Sequence, residues 1–144
     1  MSHVSMKINL AAAILVVNGV YDLACAVSIL CYPETYGPVY TLSRLHLDMY
    51  LDTELQKVPA FRQLMAYWIF TYGCVRIACG VSDGYGIGAL TYFLEASCLL
   101  YEHLVANSLK NNSAAFVCGS SVSLGWYIMI QIPLFTKKLL PFDS

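Results

Sequence analysis

Four stretches of about 20 mostly apolar residues dominate this chain, at residues 8–31, 61–81, 87–106 and 114–135. A run of that length matches the thickness of a bilayer's hydrocarbon core. Each is bounded by residues that stop helices: Pro33 after the first, Pro59 before the second, and Asp83-Gly84 between the second and third. Lys110-Asn111-Asn112 separates the third from the fourth, and Lys137-Lys138 follow the fourth. Pro133 is expected to kink or end the last turn of the fourth helix. The reading is an all-α integral membrane four-helix bundle, one domain over residues 1–144.

Composition agrees. Apolar residues make up 58% of the 144 and charged residues 12%. Ordinary soluble domains are about 45–50% apolar and about a quarter charged. A formal net charge of −1 supplies no basic face for nucleic acid. Lys7 followed by an apolar run resembles a signal peptide, but the run is too long for one and Asp22 interrupts it, so it reads as a retained span. Lys and Arg divide almost evenly between the two sides, which leaves orientation open.

The links are uneven. Those after the second and third helices are short, which makes neighbouring antiparallel helices. The first link is long. Within residues 41–56, Leu42, Leu45 and Met49 share a helical face, with Arg44, Asp48 and Asp52 elsewhere. That pattern predicts a short amphipathic helix, lying either on the membrane surface or against the end of the bundle. Tyr32, Tyr36, Tyr40 and Tyr85 fall at predicted span edges, where tyrosines anchor in the interface.

Ionisable residues inside the spans are the informative feature: Asp22 in the first, Arg76 in the second, Glu95 and Glu102 in the third. A charge at mid-bilayer costs at least ~2.5–3.5 kcal/mol, so these groups must face inward and find partners. Asn18 and Cys25 extend a polar stripe around Asp22. Glu95 and Glu102 lie two turns apart on one face. The simplest closure pairs Arg76 with Glu95 or Glu102, with Asp22 joining. This intramembrane charge network either sets helix register, meets a partner subunit, or lines a transport or ligand path. Gly73 and Gly80 on the second helix, and Ser121 and Gly125 on the fourth, are small residues suited to close helix approach. Trp126 sits within the fourth span, where its N–H needs a partner and hints at a protein-facing surface.

No nucleophile, phosphate-loop or metalloprotease motif is present, so no catalytic residue is assigned and the chain is read as non-enzymatic. The histidines, His3, His46 and His103, are not paired inside the spans, and the six cysteines have no metal-like spacing. No metal or cofactor is expected.

One family comes to mind in the second and third helices. Trp68-Ile69-Phe70-Thr71, then Arg76, a short polar turn, Leu90-Thr91-Tyr92-Phe93 and Glu102 resemble the ergosterol biosynthetic protein 28 family. The likeness covers about residues 64–107. It departs at Cys98, where a histidine is expected, in the first helix and in the long first loop. The resemblance implies a small four-span scaffold that tethers sterol-synthesis enzymes in the endoplasmic reticulum, with Arg76 and Glu102 as its structural pair. The residues alone suggest an accessory or scaffold subunit of a larger membrane complex. Its partners are membrane lipids and other membrane subunits, in the mitochondrial inner membrane (a respiratory or ATP synthase complex) or the endoplasmic reticulum. The alternative is a small transporter, channel or lipid-binding protein that uses Asp22, Arg76, Glu95 and Glu102.

Overall fold

A computed structural model describes residues 9–31, 46–52 and 54–139. Among these the fold is all-helical: α1 (Leu10–Cys31), a 3₁₀ turn (Leu55–Lys57), α2 (Pro59–Val81), α3 (Tyr85–Leu104) and α4 (Asn111–Leu139). Three helical segments, Leu10–Cys31, Pro59–Val81 and Asn112–Ile132, are long and apolar enough to cross a membrane. Helix α3 has the length, at 20 residues, but Glu95, Glu102 and His103 dilute its apolar character, so it does not match the other three.

The helix ends differ from expectation for local reasons. Pro59 does not precede α2 but opens it, because the first helical N–H has no partner to lose. Pro133 does not end α4, which continues to Leu139. Asp83, in the turn after α2, and Asn107, just past α3, have φ of 59° and 51°. Asp and Asn are the side chains that enter this left-handed region most readily.

Helix α1 packs along α2, and α3 along α4. Glycines bring α1 and α2 together. A Cβ on Gly19 would stand 2.7 Å from the carbonyl oxygen of Gly73, and one on Gly73 would stand 2.9 Å from that of Gly19. Gly80 meets Val16 and the Ala12 carbonyl at 2.7 and 2.9 Å in the same way. Between α3 and α4 the Phe93 ring covers Gly125, 3.0 Å from where its Cβ would be. The two pairs join through a shared core of Leu15, Cys79, Tyr85, Ala89, Tyr92 and Ile128.

The described part of the first loop is pinned to the start of α4 and the link before it. The Leu51 N–H donates to Ser108 O and the Lys110 N–H to Met49 O, both at 2.8 Å, pairing Tyr50 with Leu109 in a single antiparallel bridge. Met49 and Tyr50 are buried with Leu109 and Ala114, and Phe61 stands edge-on to Tyr50. The predicted amphipathic helix therefore does not run to residue 56. Among the described residues of this stretch, α-helix is confined to residues 46–47 and Leu55–Lys57 form the 3₁₀ turn, while the bridge takes up backbone groups that a helix would have used. Residues 41–45 lie outside the described residues, as do Tyr32, Tyr36 and Tyr40. Tyr85 is no interfacial anchor: it is buried, accepts a 2.8 Å hydrogen bond from Asn9 and donates to Asp83.

Candidate functional site

Arg76 is the most buried large polar group in the described chain, 1% exposed. It projects from α2 at the level where the two helix pairs meet. Its NH1 donates to Asp22 Oδ2 on α1 at 2.6 Å, and its NH2 to Glu95 Oε2 on α3 at 2.7 Å. Its Nε donates to Thr91 Oγ1 at 3.0 Å, and the Thr91 hydroxyl donates in turn to the Gly88 carbonyl at 2.7 Å. Helix α4 closes the ring, where Ser121 Oγ donates to Glu95 Oε2 at 3.0 Å. The guanidinium plane also lies over Tyr92, 3.9 Å from the ring centroid, and Asn18 Nδ2 holds the Tyr92 hydroxyl at 2.9 Å. The cluster around this one side chain thus ties together all four helices, α4 joining through Ser121 on Glu95. Arginine suits this position because its fork presents donors in several fixed directions and its flat face stacks on a ring.

Of the residues singled out in the sequence, Asp22, Arg76 and Glu95 come together. Glu102 does not. It lies near the loop end of α3 and accepts a 2.6 Å bond from Ser108 Oγ, so the Arg76–Glu102 pair implied by the family resemblance is absent. Gly73 and Gly80 face α1, and Gly125 faces Phe93. Ser121 is more than a small packing residue, since it is a donor to the cluster. Thr91 and Tyr92 were missed as members of the site. A signal was available: Thr91 precedes Glu95 by one helical turn and shares its face. Gly19 was missed as the partner of Gly73, although a glycine in mid-helix costs about 1 kcal/mol against alanine and so asks for a packing reason.

The arrangement holds charge rather than exposing it. Each guanidinium nitrogen of Arg76 makes a hydrogen bond. Among the described residues no group of three or more His, Cys, Asp or Glu side chains is placed to hold a metal.

A second feature lies beside the cluster. A cleft of about 630 Å³ opens between α2 and α3 and runs up under the pinned first loop. Its walls are mainly apolar, with Phe61, Leu64 and Trp68 on α2 and Leu99 on α3; Glu95 and Glu102 reach it from α3. Tyr50 forms part of its upper wall, and burial, with the negative charge of Glu102 adding to it, pushes this phenol up to about 12.

No known protein family, curated protein or solved structure matches the chain.

Proposed function

We propose that this chain spans the membrane four times and serves as a non-enzymatic accessory or scaffold subunit of a larger membrane assembly. The observation that carries this reading is the outer face of α4. Gly119 has open space where its Cβ would be, with nothing within 4 Å, whereas Gly19, Gly73, Gly80, Gly88 and Gly125 are all covered by neighbouring helices. Ser123 is exposed one turn on, with its hydroxyl turned back to the Gly119 carbonyl at 2.8 Å. Trp126 follows on the same face, 59% exposed, its ring T-shaped to that of Phe93. Small residues four apart let a second helix come close, and an indole N–H in hydrocarbon needs an acceptor that lipid tails lack. A helix from another subunit supplies both.

Helix α3 joins the span count on this reading because its charges face inward and are bonded. Glu95 is held by Arg76 and Ser121, and Glu102 by Ser108. Two membranes fit. In the mitochondrial inner membrane the chain is a supernumerary subunit of a respiratory or ATP synthase complex. In the endoplasmic reticulum it is a sterol-synthesis scaffold, the place that the resemblance in α2 and α3 suggests.

Blue-native electrophoresis after mild solubilisation tests the proposal. The wild-type chain migrates within a larger assembly, and Gly119→Leu releases it while the purified variant remains folded. Migration only as a free monomer or homo-oligomer refutes the subunit reading, and the proteins that co-purify decide between the two membranes. A second reading, a lipid-binding bundle, is favoured by the cleft between α2 and α3.

A further inference from the structure

The cleft between α2 and α3 is polarised along its length. At its deep end Glu95 is already paired, with its Oε2 taken by Arg76 and Ser121. About 10 Å further along the helix axis, at seven residues of 1.5 Å rise, Glu102 accepts one hydroxyl bond from Ser108, and no Lys or Arg among the described residues pairs with it. Among the described residues no Lys or Arg lines the cleft, and His46 reaches its loop end. Among the described residues the carboxyl without a Lys or Arg partner is thus the one at the loop end, where Tyr50 and Tyr101 also line the cleft. Between the two carboxyls run apolar walls: Phe61, Leu64 and Trp68 on one side, Leu99 on the other. The volume lies in the range of small-molecule sites.

We propose that this cleft binds a single-chain cationic amphiphile, a long-chain alkylamine or alkylammonium, with its head on Glu102 and its tail along Trp68 and Leu99 toward Glu95. Charge complementarity selects the head, because an anionic head would meet Glu102 with no Lys or Arg among the described residues to offset it. Tyr50, near enough to feel the charge of Glu102, supplies an aromatic ring that adds attraction for an ammonium. This lipid-binding reading does not depend on which assembly the chain joins, and its test uses the isolated chain.

The experiment uses the full chain in phosphatidylcholine nanodiscs. Trp126→Phe leaves Trp68 as the sole fluorophore of the two tryptophans. The probes are a bromine-labelled alkylamine, alkyl alcohol and alkyl carboxylate of equal chain length. The amine quenches Trp68 at about tenfold lower concentration than the alcohol, the scale of one charge-assisted hydrogen bond, and the carboxylate is weakest. Glu102→Gln abolishes the advantage of the amine and leaves the alcohol curve in place. Ser97→Phe, which fills the cleft, reduces quenching by all three. Equal quenching by amine and alcohol, or an amine advantage that survives Glu102→Gln, overturns the proposal. Equal quenching in wild type and Ser97→Phe overturns it too, because Trp68 then reports the bilayer alone. A wild-type measurement keeps the test independent of how the variants fold. Cys98 lines the cleft, so the alkylamine, and not the alcohol at the same concentration, slows its alkylation by a permeant maleimide. No protection of Cys98 also refutes the site.

Discussion

Replacing Arg76 by Met removes the centre of the cluster while keeping most of its apolar stem. Three hydrogen bonds are lost, to Asp22, Glu95 and Thr91, together with the stacking on Tyr92. Inside a membrane such a bond contributes about 0.6 kcal/mol on average, and up to about 1.7, because the unfolded helices also find partners. Three of them give roughly 2–5 kcal/mol, and the stacked cation about 0.5–2 more. What remains is two carboxyl groups with no counter-charge, Asp22 buried and Glu95 partly so. Removing one partner of a buried ion pair costs about 3–5 kcal/mol in all, the lost bonds and the stranded charge together. The expected loss is therefore about 3–5 kcal/mol, read from denaturant unfolding in mixed micelles. Arg76→Lys falls in between, since a single ammonium cannot reproduce the fork to both acids. The decisive comparison is one of sign. In the wild-type chain Asp22→Asn and Glu95→Gln each destabilise. In the Arg76→Met background both stabilise, because each then removes an uncompensated charge. If the acid substitutions still destabilise without Arg76, or Arg76→Met lies within about 1 kcal/mol of wild type, the guanidinium does not organise these helices.

Gly73→Ala places a Cβ 2.9 Å from the Gly19 carbonyl, so α1 and α2 must separate; a loss of about 1–3 kcal/mol is expected in the same unfolding assay. Gly119→Ala meets nothing within 4 Å and should be neutral or stabilising by up to about 1 kcal/mol in the isolated chain. Ser121→Ala removes the α4 donor to Glu95 and should cost about 1 kcal/mol, with the helices otherwise in place by circular dichroism. Tyr50 has its phenol raised from 10.0 to about 12, so the fold favours its neutral form. Its contribution is fully present below pH 10 and is lost as the pH rises toward 12. Tyr50→Phe should flatten that part of the alkaline stability profile, and an unchanged slope refutes the assignment.

Much of the helical frame was legible because hydrophobic run length is a local property. Residues 8–31 and 61–81 were expected, and Leu10–Cys31 and Pro59–Val81 are found. The first loop was less legible. Its apolar spacing is compatible with a helix, but the Tyr50–Leu109 bridge depends on residues 59 positions away, which no local pattern reports. The same holds for α3, whose charges weaken its apolar signal until their partners on α2, on α4 and beyond its own end are known.

Sequence alone determined that Asp22, Arg76 and Glu95 sit within apolar helices and must find partners, since an isolated charge there is too costly. It also placed Gly73 and Gly80 on one face of α2, because helical periodicity is intrinsic to the backbone. Which acids Arg76 meets was decided by tertiary structure. Periodicity gives the direction of a side chain about its own axis, not the rotation and depth of one helix against another. The Gly19–Gly73 contact sets that register, bringing Asp22 to Arg76 across 54 residues of sequence. Packing of α3 then presents Glu95 to Arg76 and leaves Glu102, two turns away, at the loop end of the cleft that both carboxyls line.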